Sequence, residues 1–195
     1  MERPHDAAML SRQHLAAACA GALVLLCLPT VATAEETTCR GALGAVTVDN
    51  LRVPDGATCV LDKTRVKGTV KVESNATLRA RGIRVVGNVQ GEDARNVAIR
   101  GRSRIGGSVQ VEQGGKARVS RSRVNGDIQF EQNSGALRAA RNRVGGSIQV
   151  IGNDALARIT GNRVDGNLQC KENEPAPVGG GNVVQGNKED QCEAL

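Results

Sequence analysis

Apolar and polar positions along this chain alternate in short bursts, without helical stripes. Val70-Lys71-Val72-Glu73, Val109-Gln110-Val111-Glu112, Ile128-Gln129-Phe130-Glu131 and Ile148-Gln149-Val150-Ile151 show the period of two that belongs to a half-buried strand. A turn rich in Asn, Ser and Gly follows, as at Gln132 to Gly135, then a second apolar stretch around Leu78, Val97 and Ile99, Val119, Leu137 or Ile159. No apolar stripe of helical period lasts long enough to form a helix.

The bursts are bound to a motif, Arg-Val/Ile-x-Gly-x-Val/Ile/Leu-Gln/Lys, whose glycines are Gly68, Gly87, Gly107, Gly126, Gly146 and Gly166. A looser seventh copy ends at Gly186, and successive glycines are 19, 20, 19, 20, 20 and 20 residues apart. So strict a period assigns one small unit to each copy, and the copies must stack to bury their apolar sides. The fold expected is all-β: a single-stranded parallel β-solenoid in the right-handed β-helix form, with about seven coils of 19–20 residues. The hexapeptide period of left-handed solenoids is missing. At about 4.8 Å per rung, the rod is expected to be roughly 30–35 Å long. The motif glycine is expected at a corner where a side chain would clash or φ must be positive.

Residues 1–34 break this pattern and read as an export signal. Arg3 and Arg12 precede the apolar run Leu15 to Leu28, and Ala32-Thr33-Ala34 supplies a small-residue cleavage site. A retained membrane anchor is the alternative, but the run is short for a bilayer span. The division expected is 1–34 signal peptide, 35–62 N-terminal cap and first coil, 63–170 β-helix repeats and 171–195 C-terminal cap. Cleavage near Ala34 makes the protein secreted, extracellular or periplasmic, with no transmembrane segment in the mature chain. It also removes both histidines, His5 and His14, and two of the six cysteines, leaving the net charge of +6 unchanged. Phe130 is then the one aromatic residue. Cores of ordinary domains use several aromatics, so the core expected here is too narrow for rings.

The four remaining cysteines fall in pairs at the two ends of the array. Cys39 and Cys59 are 20 residues apart, and Cys170 and Cys192 are 22 apart. About one coil of separation puts partners on adjacent rungs, within reach of a disulfide. The pairing 39–59 and 170–192 would staple the end coils, which have only one neighbour. A zinc site is the competing reading, but it needs four ligands together.

Stacking converts each repeat position into a row. Arg65, Arg84, Arg104, Arg123, Arg143 and Arg163 form one; Arg79, Arg100, Arg118, Arg138 and Arg158 are assigned to a second, less regular one. Gln90, Gln110, Gln129, Gln149 and Gln169 form a third, whose amides can bond from rung to rung. Glu73, Glu92, Glu112 and Glu131 form an acidic row that gives way to Ile151 and Lys171. Arginines about 5 Å apart repel by roughly 0.8 kcal/mol per pair in water. The first Arg row admits two readings: a track for a polyanion, or a solvated face copied along with the repeat. Anionic polysaccharide or wall polymer is the partner expected of such a track, with nucleic acid disfavoured. A calcium site on the Glu row is a weaker alternative, because the row lacks an Asp/Asn/Gly loop. No metal and no cofactor are expected.

Asn142-Arg143-Val144-Gly145-Gly146-Ser147-Ile148-Gln149, the stretch Gly161 to Cys170 and the tail Gly179 to Lys188 resemble uncharacterised secreted bacterial proteins of the β-solenoid type. The likeness covers most of the chain beyond residue 34 and implies the fold and export, with no established activity. The Val/Ile and Gly-rich coils are more loosely similar to bactofilins, cytoskeletal β-solenoids that polymerise end to end. That similarity implies self-association through the end coils.

Parallel β-helices also include polysaccharide lyases and hydrolases, so a lyase-type enzyme is the alternative class. Three features oppose it: no histidine beyond His14, no aromatic platform for sugars, and coils too constant in length to extend loops around a substrate. Asp127 and Asp165 occupy different repeat positions and form no evident carboxylate pair. The expectation is a secreted, non-catalytic β-solenoid with a structural or binding role at the cell envelope.

Overall fold

Each copy of the repeat makes three short strands joined by three bends. The computed structural model describes residues 35–195, which form an all-β parallel solenoid of about seven turns. The leader assigned to residues 1–34 lies outside the described residues. In the coil that starts at Ile128, Ile128–Glu131 lies on one face (sheet A), Leu137–Ala140 on the next (sheet B) and Arg143–Val144 on the third (sheet C). Sheet A stacks nine strands and sheets B and C eight each, and every strand pairs in parallel with the equivalent strand one coil away. The array begins with Glu36–Thr38 on sheet A, and within 171–195 the chain completes a further coil through Val178–Gly180, Val183–Val184 and Lys188–Asp190.

Alternation decides which side chains fill the tube. Val109 and Val111 point inward and are fully buried, while Glu112 on the same strand is exposed. The core rows are Val, Ile, Leu and Ala. Phe130 also fits, 1% exposed, in register between Val111 and Val150. Its coil gives back volume on sheet B, where Ala139 stands in the row of Val119 and Ile159. A large residue facing a small one keeps the cross-section constant.

The motif glycines sit at the bend from sheet C to sheet A, and none of the motif set has positive φ. Close approach is what requires glycine here. From Gly87 onward each N–H donates to the carbonyl of the motif glycine one coil back, for instance Gly87 to Gly68 at 2.9 Å and Gly166 to Gly146 at 2.9 Å. A Cβ on Gly87 would stand 2.8 Å from the Gly68 oxygen. The residue after each glycine adds a second obstruction. Its side-chain oxygen reaches over the next coil and accepts the backbone N–H of its counterpart: Ser108 N–H to Asn88 at 2.9 Å, Asp127 N–H to Ser108 at 3.0 Å, Ser147 N–H to Asp127 at 2.7 Å. Those oxygens occupy the space a Cβ on Gly107, Gly126 or Gly146 would need. Asp127 is thus committed to this bend.

In the later coils, buried asparagines hold the other two bends. At the bend from A to B, Asn133, Asn153 and Asn173 stack with amide-to-amide bonds of 3.0 and 2.8 Å and end on Gln191 at 2.9 Å. At the bend from B to C, Asn142, Asn162 and Asn182 repeat the arrangement with bonds of 3.1 and 2.9 Å. Each amide also bonds backbone of neighbouring coils, as Asn142 Nδ2 does to the Val119 carbonyl at 2.8 Å. Bends that would otherwise orphan buried N–H groups are therefore satisfied from within the wall.

All four cysteines described are consumed by two disulfides, Cys39–Cys59 and Cys170–Cys192, with Cα separations of 5.6 and 5.1 Å. None remains for a zinc site. The staples lie in the end coils, as the spacing predicts.

Candidate functional site

Strands on sheet C are only two residues long, and the pair is nearly constant: Val or Ile inward, Arg outward. Register places Arg65, Arg84, Arg104, Arg123, Arg143 and Arg163 in one exposed file. Thr47 precedes the file and Val183 follows it. Consecutive guanidinium stems are therefore about one rung, roughly 4.8 Å, apart.

The second basic row differs from its sequence assignment. Arg79, Arg118, Arg138 and Arg158 do share a row on sheet B, but its member between Arg79 and Arg118 is Ala98. Arg100 pairs instead with Arg81, two residues further along the strand. The equivalent of Arg79 one coil on, 19 residues away, is an alanine, and Arg100, 21 residues away, matches the row by residue type and not by register.

A third basic file was not apparent from the repeat alone. At the bend from B to C, the residue before the inward Thr, Ile, Ser or Asn takes a left-handed backbone in every copy: Lys63, Gly82, Arg102, Arg121, Arg141, Gly161 and Gly181, with φ between 49° and 66°. Glycine adopts this freely, whereas a side chain there costs on the order of 1 kcal/mol. The non-glycine members are all cations. At the bend from A to B the left-handed positions carry Gly56, Asn75, Asp93, Gln113, Gln132, Gly152 and Glu172, with no cation among them. The signal was present as triplets: Arg102-Ser103-Arg104, Arg121-Ser122-Arg123 and Arg141-Asn142-Arg143 put a second arginine two residues before the file on sheet C.

The two files wall a shallow groove lined by Arg102, Arg104, Arg121, Arg123, Arg141 and Arg143, with Ser103 and Ser122 at its base. Among the described residues, ion pairs engage only Arg52, Lys67, Lys71 and Lys171 on the cationic side. Among the described residues, the arginines of sheets B and C are without carboxylate partners. Charge is thus sorted by face, with cations on B, C and the bend between them.

Sheet A is different in kind. Gln90, Gln110, Gln129 and Gln149 form a continuous amide ladder with bonds of 3.1, 2.8 and 2.8 Å. The Glu row is in register beside it, Glu92 to Glu112 to Glu131, and then passes to Ile151. Asp127 and Asp165 are not brought together: Asp127 serves the glycine bend, and Asp165 accepts from Gln185 at 3.3 Å.

Structural disulfides belong to oxidising compartments, and the two found here mark this chain as one that matures outside the reducing cytosol. Among the described residues, no helix is long and apolar enough to cross a membrane. Comparison with protein-family models, with curated proteins and with solved structures gives no match to this chain.

Proposed function

We propose that this protein is a secreted, non-catalytic β-solenoid that binds anionic polymers at the cell envelope or outside the cell, along the Arg file of sheet C. The observation that carries the reading is the register: Arg65, Arg84, Arg104, Arg123, Arg143 and Arg163 stand in line and exposed, without carboxylate partners among the described residues. A regular file of one guanidinium per rung suits a polymer carrying one carboxylate or sulfate per sugar unit. Acidic polysaccharide or anionic wall polymer is the partner this favours. Nucleic acid is a poorer fit, because bases need aromatic platforms and Phe130 is buried. Export is supported by the disulfides and by the leader-like residues 1–34.

The test is retention on immobilised polygalacturonate and heparin across a salt gradient. Retention should weaken steeply with salt and be lost when Arg104, Arg123 and Arg143 become Gln. Unchanged elution of that variant refutes the assignment of the file.

End-to-end self-association is a second reading, favoured by the terminal strands of the sheets, such as Glu36–Thr38 and Lys188–Asp190 on sheet A, which pair on one side only among the described residues. It predicts concentration-dependent sedimentation, and a monomer at high concentration refutes it.

A further inference from the structure

On the far side of the bend from the sheet C file lies a second, deeper basic feature. The outward row of sheet B that runs from Asp62 through Arg81 and Arg100 continues as Ser120, Ala140 and Thr160. Halfway along the rod, long side chains give way to small ones, and the step leaves a notch of about 590 Å³. Gly101, Ser120 and Ala140 form its floor. Arg81 and Arg100 close one end, Arg118 and Arg138 stand along the sheet B side, and Arg121 and Arg141 along the bend. None of these six arginines pairs with a carboxylate among the described residues. The nearest acid in register, Asp62, lies beside Arg81 on the side away from the notch.

The backbone adds an independent observation. In the two coils that line the notch, Arg121 and Arg141 occupy left-handed positions (φ 49° and 56°) that the following two coils fill with Gly161 and Gly181. The fold accepts glycine in this row and would be relieved by it. A cation is kept where it is strained and where it faces other cations. Both costs point away from a structural purpose and toward a ligand that offsets them.

The geometry points to a site for clustered phosphate groups, which we propose as a binding function distinct from the polymer track on sheet C. In the central rungs the notch presents two guanidiniums per rung, Arg118 with Arg121 and Arg138 with Arg141. A carboxylate or sulfate ester carries one charge and leaves half of that unmatched. A phosphate monoester carries about −1.5 to −2 at neutral pH and offers three acceptor oxygens, which guanidinium forks bind in pairs. Two phosphates about one rung, roughly 5 Å, apart would engage both central rungs, with Arg100 and Arg81 meeting a third. No aromatic side chain lines the notch, so recognition rests on the phosphates and not on a base or sugar ring attached to them.

The probe is inorganic tripolyphosphate, titrated by calorimetry into the full chain expressed with its own leader and purified with both disulfides formed. Saturable binding near one per chain is expected, at least tenfold tighter than orthophosphate and weakening with salt. Arg118→Gln with Arg138→Gln should weaken tripolyphosphate at least tenfold while leaving polygalacturonate retention unchanged. Arg104→Gln, Arg123→Gln and Arg143→Gln should do the reverse, so the failure of either site is separable from the failure of the other. Circular dichroism and thermal melting of both variants confirm that they are folded. Absence of saturable heat, or equal affinity in the Arg118/Arg138 variant, overturns the proposal. Vesicles of phosphatidylcholine with and without phosphatidic acid then identify the source. Co-flotation that tripolyphosphate competes away supports a lipid headgroup, and tripolyphosphate binding without flotation supports a soluble phosphorylated chain.

Discussion

Replacing Asn153 by Ala tests whether the inner polar ladders hold the coils in place. Asn153 is fully buried at the bend from sheet A to sheet B. Its Oδ1 accepts the Asn133 backbone N–H at 2.9 Å and the Asn133 amide at 3.0 Å; its Nδ2 donates to the Phe130 carbonyl at 2.9 Å and to Asn173 Oδ1 at 2.8 Å. Truncation leaves the Asn133 N–H with no acceptor. The Asn133 amide keeps the Val111 carbonyl, and Asn173 Oδ1 keeps the Asn153 N–H at 3.2 Å. The cost is therefore one orphaned buried donor, at about 1–3 kcal/mol, plus partial loss of two further bonds, for a total of about 2–4 kcal/mol. Backbone strain does not contribute, since Ala76 and Ala94 follow the left-handed residue of this bend in earlier coils. For a chain of this size the midpoint should fall by roughly 5–15 °C. Thermal and urea unfolding by circular dichroism measure it, with Gln113→Ala as the control, because its bond to Gln132 is exposed. A loss under about 1 kcal/mol, or equal losses in the two variants, would refute the idea that the ladder is structural.

Gly146→Ala drives a methyl into Asp127 Oδ1 and toward the Gly126 carbonyl carbon at 3.1 Å, so a loss of about 2–3 kcal/mol is expected; Gly44→Ala, with nothing within 4 Å, should be nearly silent in the same melts. Removing the Cys170–Cys192 bridge by a double Ala substitution opens a loop with a sequence separation of 22 and should cost about 3 kcal/mol, with hydrogen exchange rising first in the last coil. Arg141→Gly releases a left-handed side chain and should raise stability by about 0.5–1 kcal/mol while weakening tripolyphosphate in calorimetry; a variant that is both less stable and unchanged in binding contradicts the strain argument. The Lys67 ammonium, 2.8 Å from Asp49, hydrogen-bonds that carboxylate and holds it below its ordinary value of 3.8. Its contribution is therefore complete above 3.8 and lost as pH falls through the lowered folded value, and Asp49→Asn should flatten the acid limb of the melting curve only there.

The period carried most of the fold because a coil is a local object: alternation assigns inside and outside, and spacing assigns register. Cys39 with Cys59 and the sheet C arginines follow from spacing alone. What spacing could not show is what happens inside a bend. Gly107 and Gly146 are required by an oxygen from the previous coil, not by their own φ, and the neighbouring Asn88 and Asp127 carry no signal of this until the coils are stacked. The assignment of Arg100 fails because its coil carries Ala98 at the row's position, and the arginine two residues on matches by type and not by register. The notch was illegible for a related reason. It depends on the absence of bulk at Ser120 and Ala140, and an absence in one row matters only once the rows beside it are known.

The division of labour between interior and exterior is what gives the basic faces their meaning. Coils are held by valine and isoleucine rows, by glycine-to-glycine bonds at one bend and, in the later coils, by asparagine stacks at the other two. On sheet A the outer surface also stabilises, because the glutamine amides bond along the rod. Sheets B and C and the bend between them offer no such return: the arginines repel one another and lack acidic partners among the described residues, and those at the bend, Arg102, Arg121 and Arg141, occupy a backbone that glycine would take without strain. A solvated face copied with the repeat would explain a file of arginines on sheet C, where any polar residue fits. It does not explain Arg102, Arg121 and Arg141, where the repeat itself contains the more stable alternative in Gly82, Gly161 and Gly181. The cations at this bend are therefore the positions at which stability and binding are opposed, and the sign of the Arg141→Gly effect on each is the decisive comparison.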